Sequence, residues 1–378
     1  MSDFLVQRDQ TDVPTAGTTA SITAVSSLNS AFEMMSSNRR MSGGPSAVTT
    51  NQEADDLSAA GVLTDTSTIT YSRVSGSSSN TMRCAMEVVE YTGPAGGPNE
   101  FIVRGRYTGL LTGGTNSVSV TVSGVSDKDR CIPIITGILC EDTTDGGARA
   151  TGLVLLTNAT TAVVYAGGSA SRVTVHFTLV EFTGSAWTVG HAAAGPVSAD
   201  SGSATIVTGS NGSSGTTVDV GDWGTACIFA HHAGDLGSDA NQAIADNWPN
   251  ITPTSGSTTS VDYTFNSQHD GVNNLHLAHV LQHDDMVVQR ITDTGSHTGA
   301  RNVSIPSTLS SISEAFVRVC RTSSGAGTAY GRGWVNARLT TTSNVELWVH
   351  RNGNSIDTRI EVVDLSSISS ATRRIFVV

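Results

Sequence analysis

The sequence predicts an all-β protein made of four tandem small antiparallel β-sandwich domains of about six strands each. One pattern of short apolar strands recurs four times along the 378 residues, and the segments between the strands are rich in Gly, Ser, Thr, Asn and Asp. Helical periodicity is confined to one short segment, 238–248, where Ser238 or Asp239 is a candidate N-cap.

The recurrence is clearest at the two ends of each copy. The opening strands are 4–8, 101–104, 187–191 and 286–290, and each ends near a basic or polar residue. The closing strands are 84–91, 175–182, 275–282 and 360–365. Successive opening strands lie 97, 86 and 99 residues apart. This period is that of a small domain, because a solenoid unit spans only about 20–50 residues.

The strands between these ends follow in a fixed order. Second strands with strict alternation, and therefore one solvated face, are predicted at 20–25, 118–122, 217–220 and 303–305. Third strands are predicted at 31–34, 131–134, 226–229 and 315–319. A less regular fourth segment precedes the fifth strands at 69–73, 163–166, 261–265 and 345–349.

Individual residues within these strands support further predictions. Pro133 indicates an edge strand or a bulge, since proline donates no ladder hydrogen bond. The recurring large residues on the fifth strands are predicted core positions: Tyr71, Tyr165, Tyr263 and Leu347. Adjacent apolar pairs such as Val88 and Val89 break the alternation of the closing strands, which indicates burial on both faces or a bulge.

We therefore predict four repeats and a tail: repeat 1 at 1–93, repeat 2 at 99–184, repeat 3 at 185–284, repeat 4 at 285–365, and a C-terminal tail at 366–378. Repeat 3 is rich in histidine and has long loops. Modules of this size bury enough apolar surface to fold alone but are only modestly stable. We expect contacts between neighbouring repeats, or between chains, to add stability.

Charge and composition narrow the classes of partner. The net charge of −12 argues against nucleic acid, whose recognition needs a basic face. Charged residues make up only 14% of the chain, and Lys128 is the only lysine beside twenty arginines. Because lysines usually protect exposed strand edges, the edges of these sheets are expected to be covered in another way.

The N-terminus has no basic region followed by an apolar one, so we expect no secretory signal and no membrane insertion. The five cysteines lack paired C-x-x-C spacing and are predicted to be packed free thiols. Cys131 and Cys227 are predicted to occupy matching places in repeats 2 and 3. Folding in a reducing cytosol is the expectation that follows.

Catalytic signatures such as G-x-S-x-G, the P-loop and H-E-x-x-H are missing from the sequence. The histidines of repeat 3 suggest a metal site. The repeat pattern makes this segment a strand, however, and a strand places only His279 and His283 on one face and His276 on the other. These two are the candidates for a metal, and we expect neither a metal nor a cofactor. Acidic loops at 141–146 and 235–239 leave a structural cation open, although they lack the ligand spacing of an EF-hand.

Repeated β-sandwich patterns and a surface rich in Ser, Thr and Gly give the chain an architecture that resembles repeat-built virion structural proteins of tailed bacteriophages. The six-stranded repeats are also similar to H-type lectin domains. The resemblance covers nearly the whole chain and includes no diagnostic motif. It implies a non-enzymatic appendage at the virion surface, either a tail fibre or spike component or a capsid decoration protein, assembled in the host cytoplasm. Its partners would be other virion proteins, copies of itself and host surface glycans.

For subunit contact the candidates are Arg373, Arg374 and Phe376 in the tail, since arginine and aromatic side chains anchor interfaces. Two alternatives remain open. A bacterial surface adhesin or S-layer-like protein predicts an export signal. A particle-borne carbohydrate-active enzyme predicts a catalytic cleft in one repeat, with His231 and His279 as its candidate residues.

Overall fold

The computed structural model of the chain describes residues 2–40, 58–74, 81–112, 115–141, 151–167, 172–197, 201–233, 250–264, 274–296, 299–324, 335–349 and 355–370. These residues form an all-β structure of several small antiparallel sheets. The predicted helix 238–248 and the tail residues Arg373, Arg374 and Phe376 lie outside the described residues.

Six strands are described in each repeat. Repeat 1 contains β1 (Phe4–Val13), β2 (Thr18–Ser21), β3 (Ala31–Arg40), β4 (Ala59–Asp65), β5 (Thr68–Arg73) and β6 (Met82–Tyr91). Repeat 2 contains β7 (Ile102–Thr112), β8 (Ser117–Thr121), β9 (Cys131–Cys140), β10 (Gly152–Asn158), β11 (Thr161–Ala166) and β12 (Arg172–Glu181). Repeat 3 contains β13 (Thr188–Val197), β14 (Ser201–Thr205), β15 (Ala226–Ala233), β16 (Asn250–Pro253), β17 (Ser260–Thr264) and β18 (Asn274–Gln282). Repeat 4 contains β19 (Val287–Ser296), β20 (Gly299–Ser304), β21 (Ala315–Ser324), β22 (Val335–Thr341), β23 (Asn344–Val349) and β24 (Ser355–Asp364).

The same strand order occurs in all four repeats. The opening, closing and third strands form one three-stranded unit with the closing strand in the centre, as in β1-β6-β3. The second, fifth and fourth strands form the other unit, as in β2-β5-β4. Side chains from both units of a repeat meet in a hydrophobic cluster that belongs to that repeat alone.

The central position of the closing strand explains its unbroken apolar pairs. In β6, Val88 packs into the cluster of repeat 1, whereas Val89 points to the opposite face and packs into a second cluster shared by all repeats. In β24, Val362 and Val363 divide in the same way. The predicted burial of the closing strands on both faces is therefore confirmed.

Neighbouring repeats are joined through their fourth and third strands. In β4, Ala60 lies opposite Gly137 of β9, and in β10, Gly152 lies opposite His232 of β15. Likewise β16 packs against β21, and β22 packs against β3. Repeat 4 thus contacts repeat 1 as each earlier repeat contacts its successor, so the four repeats form a closed ring. The paired contacts cover the outer edge of the third strand only in part, at residues 137 and 138 of β9 and at His232 of β15.

The shared cluster fills the centre of this ring and is called the central core below. It contains Phe4, Val6, Phe32, Met34, Val89, Tyr91, Phe101, Val103, Ile132, Ile134, Val180, Phe182, Trp187, Val189, Cys227, Phe229, Leu281, Met286, Val288, Phe316, Val363, Leu365 and Ile368. Phe4 stands 6.1 Å from Phe101 and 5.9 Å from Trp187, measured between ring centroids, so three repeats meet through aromatic contacts. Each large side chain buried here contributes roughly 1.5–3 kcal/mol.

The first and last described residues lie beside this core. The amide of Asp3 donates to the carbonyl of Ile368 over 2.9 Å, and the Asp3 carboxylate accepts the amide of Ser370 at 2.8 Å. Asn99, at the start of repeat 2, donates to the same carboxylate over 2.9 Å. The tail therefore leaves the described structure next to the N-terminus.

Three predictions within the repeats are wrong. The second strand of repeat 3 is Ser201–Thr205, inside a predicted loop, and not 217–220, although Val218 and Val220 do pack into the repeat's cluster. Tyr165 is only half-buried, because its neighbour Val164 takes the core position. Two further tyrosine predictions, Tyr71 and Tyr263, are confirmed as buried.

The proposed match between Cys131 and Cys227 is also wrong. Cys131 lies opposite Glu181 and Cys227 opposite Leu281, so the two residues are one position apart and face opposite sides of their sheets. Cys131 packs inside repeat 2 and Cys227 in the central core. Both are buried free thiols, as predicted, and burial raises the pKa of Cys227 to about 12.

Candidate functional site at the seams between repeats

Polar side chains are concentrated where neighbouring repeats meet, at contacts that we call seams. At one equivalent place in each repeat, the opening and closing strands carry two polar residues directly opposite each other. These seam pairs are Arg8 with Glu87, Arg106 with Thr178, His191 with His279, and Arg290 with Glu361. Each pair lies on the face of its sheet that the central core also occupies, so its side chains point at the preceding repeat.

At the seam between repeats 4 and 1, the pair Arg8 and Glu87 binds the start of β21. The two side chains form an ion pair with 2.9 Å between Arg8 Nε and Glu87 Oε1. Arg8 also donates to the carbonyls of Ile312, at 2.6 Å, and Ala315. The other oxygen of Glu87 accepts the amide of Val317 at 2.9 Å. Burial raises the pKa of Glu87, which Arg8 and the amide partly oppose.

The seam between repeats 3 and 4 repeats this arrangement. Arg290 pairs with Glu361 at 2.7 Å and donates to the carbonyls of Trp223, at 2.5 Å, and Ala226, at 2.6 Å. Glu361 accepts the amide of Ile228 at 2.9 Å. The Arg290 guanidinium also lies 5.7 Å from the centroid of the Trp223 ring.

At the seam between repeats 1 and 2, the carboxylate comes from the opposite side. Thr178 takes the place of the glutamate, and Glu33 on β3 of repeat 1 pairs with Arg106 at 2.9 Å. Thr178 donates to Glu33 over 2.8 Å, and Arg106 donates to the carbonyl of Ala31 over 2.8 Å. Glu33 is completely buried, and its charge is matched by the arginine.

The seam between repeats 2 and 3 has neither arginine nor carboxylate in its pair. His191 Nδ1 and His279 Nδ1 are 2.7 Å apart, and His191 Nε2 lies 3.0 Å from the carbonyl of Asp129. At the place of Val317 and Ile228, repeat 2 has Pro133, which has no amide hydrogen for a glutamate to accept. Pro133 lies neither in an edge strand nor at the bulge of β9, which falls between Ile135 and Gly137, but β4 pairs only with residues 137 and 138, so the proline interrupts no ladder with β4.

The two histidines of this pair belong to a larger buried cluster. The ring of His231 stands 5.1 Å from that of His279, and the guanidinium of Arg318, from repeat 4, lies 3.8 Å over the ring of Phe229. Burial lowers the pKa of His191 to about 4, while burial and the charge of Arg318 lower that of His231 to about 3. Burial and the other charges of the cluster put the pKa of His279 well below its usual value. The imidazoles are therefore neutral at pH 7.

The structure does not bring the two metal candidates together. His279 faces His191, whereas His283 Nε2 lies 3.0 Å from the Asn99 amide oxygen and its ring stands 4.8 Å from that of Trp187. His276 points to the other face of β18, as predicted, and its ring lies 6.0 Å from that of Tyr263. Within the described ranges, no three His, Cys, Asp or Glu side chains are grouped to hold a metal ion.

An open groove of about 370 Å³ runs between repeats 4 and 1, lined by residues that include Arg8, Asp9 and Arg338. Its polar groups already have partners: Arg338 pairs with Glu346 at 2.6 Å, and the Tyr71 hydroxyl donates to Asp9 over 2.7 Å. The groove therefore presents no free nucleophile beside a base.

Three of the seam-pair residues could be identified from the sequence, but their role at the seams could not. Arg8, His191 and Arg290 end the opening strands, and the basic or polar residue at that point was visible in the repeat pattern. In repeat 2 the pattern indicated Arg104, but a bulge between Val103 and Gly105 shifts the seam position to Arg106. Arg104 pairs instead with Glu181 of its own repeat at 2.7 Å.

Neither a model of a known protein family nor a curated protein matches this chain. In the described part of the chain, no helix has the length and apolar character needed to cross a bilayer.

Proposed function

We propose that the chain is a non-enzymatic structural protein of a tailed-bacteriophage virion, a multi-domain appendage of the tail fibre, spike or capsid decoration type. Its repeats are small β-sandwiches. Its function is to hold surfaces in place: one end of the ring docks on neighbouring virion subunits, and the opposite end faces outward. The observation that carries the proposal is that, at three of the four seams, a buried carboxylate pairs with an arginine that also binds the backbone of the preceding repeat.

The chemistry of the seams supports a structural function. Arg8, Arg106 and Arg290 each pair with a carboxylate, which belongs to the same repeat for Arg8 and Arg290 and to the preceding repeat for Arg106. Each arginine also donates to backbone carbonyls of the preceding repeat. Charge-assisted bonds of this kind fix geometry as well as contributing energy. A chain whose buried ion pairs fix the relative placement of its repeats is suited to bearing load or presenting surfaces.

The direction of the strands gives the ring two different ends. Phe4 and Tyr91 are register partners beside the central core, while Val13 and Met82 are partners at the far end of the same strands. The described segments nearest the two termini lie at the core end, where Asp3 binds Ile368 and Ser370. We propose that this end docks on the particle, with Arg373, Arg374 and Phe376 as the anchors, and that the far ends face the host surface and contact its glycans.

The enzyme alternative finds little support in the geometry. His231 and His279 are 6% and 1% exposed, so neither reaches a solvent-filled cleft in the described structure. Their low pKa values also leave them weak bases at neutral pH.

Particle composition tests the proposal. Virions from cells expressing the full gene are purified on a density gradient, and the chain is quantified by peptide mass spectrometry before and after deletion of residues 371–378. We expect the chain at a fixed copy number per particle, and loss of that association in the deleted form, with its folding checked by circular dichroism. Recovery of the chain on the surface of uninfected cells would support the adhesin alternative, and turnover of host polysaccharide abolished by His231→Ala would support the enzyme.

A further inference from the structure

The seam between repeats 2 and 3 holds one proton arrangement and no other. The carbonyl of Asp129 can only accept, so His191 Nε2 must donate to it over 3.0 Å. A neutral His191 then has an unprotonated Nδ1, which accepts the proton of His279 Nδ1 over 2.7 Å. It follows that His279 Nε2 carries no proton, and this atom has no hydrogen-bond partner among the described residues.

A second proton cannot be accommodated in this geometry. If His191 gained one, two N–H groups would face each other across 2.7 Å. If His279 gained one at Nε2, a charged donor would be buried without an acceptor. His231 faces the same constraint, since its Nδ1 also has no partner in the described structure.

The charges around the cluster do not compensate for protonation. Arg318 lies beside His231 and His279, and Lys128 acts on His191, so both neighbours are positive. Among the described residues, the acid that acts on the cluster is Asp129, and its carboxylate is engaged by Lys128 and by the amide of Ser210 at 2.9 Å. At His231 and His279 a protonated imidazole would thus meet repulsion from Arg318 as well as a loss of hydration, and at His191 the loss of hydration outweighs the attraction of Asp129.

We propose that the seam between repeats 2 and 3 is an acid-sensitive gate: uptake of protons by His191, His279 and His231 opens the ring at this seam while the other three seams stay closed. The opening separates the pair from the 3-10 turn Lys128–Arg130 and gives water access to the central core from one side.

The pKa values define the pH window. In the opened seam the histidines return towards the ordinary pKa of 6.5, whereas in the closed seam His191 has a pKa of about 4. The open form therefore binds more protons below pH 6.5, and the closed form loses stability as the pH falls from there towards 4. This is the expected sign for a base whose pKa is lowered by folding.

The ion pairs of the other seams do not share this response. Their arginines keep their charge at any accessible pH. Burial raises the pKa of Glu87, so the closed seam takes up a proton there at least as readily as an open one and acid does not favour opening. The contrast between seams is thus an internal control within one molecule.

Hydrogen–deuterium exchange of the full chain tests the gate. Peptides that cover each seam pair are followed at pH 7.0 and pH 4.5, and the rates are corrected for intrinsic exchange at each pH. We expect at least tenfold faster corrected exchange at pH 4.5 for peptides containing His191, His231 and His279, and less than twofold change for those containing Glu87 and Glu361. Equal acceleration at all four seams, or none at any, overturns the proposal.

Variants assign the effect to the histidines. The double substitution His191→Gln and His279→Gln keeps hydrogen-bonding groups that do not titrate, so the tenfold acceleration should be lost. His176→Gln is the matched control: its pKa is also lowered by burial, but it lies in β12 beside Thr108 and opposite Gly137, at the join between repeats 1 and 2 and outside the seam between repeats 2 and 3, so this variant should retain the full response. A response that persists in the double variant contradicts the gate.

The wild-type chain provides a further test that needs no variant to fold. Long-range ¹H–¹⁵N correlation spectra distinguish the neutral tautomers from the imidazolium. At pH 6.0 we expect His191 protonated at Nε2 alone and His279 at Nδ1 alone. An imidazolium at either residue at that pH would also overturn the proposal.

Discussion

At the scale of single residues, the seams show how a chain with few charged groups can bury several of them. Glu87 and Glu361 are each 1–2% exposed, yet each has an arginine and a backbone amide as partners. A buried ion is costly unless such partners satisfy it, and removing one partner leaves the other unpaired. The seam pairs are therefore positions where single substitutions have large effects.

Glu87→Ala is the direct test of this point. The substitution leaves Arg8 and the amide of Val317 without their shared acceptor, so the free energy of unfolding should fall by about 3–5 kcal/mol in a urea titration. Asp12→Ala is the matched control, since it breaks the exposed pair with Arg83 and should cost less than about 1 kcal/mol. Equal small losses in the two variants would show that the buried pair does not hold the seam.

The histidine pair makes the free energy of unfolding depend on pH, because acid favours the unfolded chain. With a pKa of about 4 in the folded chain and 6.5 when unfolded, His191 alone lowers the free energy of unfolding by about 3 kcal/mol between pH 7 and pH 4. His191→Gln should reduce the difference in stability between these two pH values by that amount, measured by urea unfolding. A difference that is the same in wild type and variant would show that His191 does not titrate on unfolding.

Residue identities at the seams were only partly predictable. The repeat alignment placed Arg8, His191 and Arg290 in equivalent positions because they follow the same short apolar pattern. It missed Arg106, because a bulge adds one residue to β7 and moves Arg104 out of the seam. The predictions for Cys131 and Tyr165 are also wrong by one residue. An error of one residue in a strand reverses the face on which a side chain lies.

At the scale of strands, the joins between repeats depend on how closely two backbones approach. A Cβ atom at Gly137 would stand 2.2 Å from the Cα of Ala60, a distance that no side chain can occupy. Glycine is thus required where β4 meets β9. At Gly152, where β10 meets β15, the nearest atoms to a Cβ would be methyl groups of Ile138 and Val175 at 3.1 Å.

These two glycines give a paired prediction. Gly137→Ala should lower the free energy of unfolding by about 2–3 kcal/mol, since the join between repeats 1 and 2 must separate. Gly152→Ala should cost less than about 1 kcal/mol, since flexible methyl groups can move and alanine also restricts the unfolded chain. Thermal and urea unfolding of the two variants provide the measurement, and a milder effect at Gly137 than at Gly152 would contradict the described join.

The strands themselves were largely predictable, for a physical reason. Alternation identifies a half-buried strand, and the apolar pairs of the closing strands record burial on both faces. The second strand of repeat 3 was missed because β14 consists of small polar residues, Ser201–Thr205, that carry no apolar alternation. Packing against β17 determines that strand, and single-sequence patterns do not encode such a contact.

At the scale of the whole molecule, the closed ring is the feature that the sequence did not reveal. Equivalent repeats predict similar contacts between neighbours, but whether repeat 4 returns to repeat 1 depends on the angle between repeats. Two contacts carry the closure: β22 packs against β3, and Arg8 and Glu87 bind the backbone of Ala315 and Val317.

Removal of repeat 4 should therefore damage more than repeat 4. A fragment of residues 1–284 loses the backbone groups of repeat 4 that Arg8 and Glu87 bind, and it exposes central-core residues such as Phe4 and Phe32. We expect this fragment to self-associate in size-exclusion chromatography with light scattering, and its β1 and β6 amides to exchange faster than in the full chain. A monodisperse fragment with unchanged protection in repeat 1 would indicate independent domains.

Small-angle X-ray scattering of the full chain at pH 7 tests the closed ring most directly. A compact chain of this length has a radius of gyration of about 21 Å, whereas four small domains extended along a line would exceed roughly 30 Å. The closed ring predicts a value close to the first figure, with a single compact maximum in the distance distribution. A radius above roughly 30 Å for the monomer would contradict it.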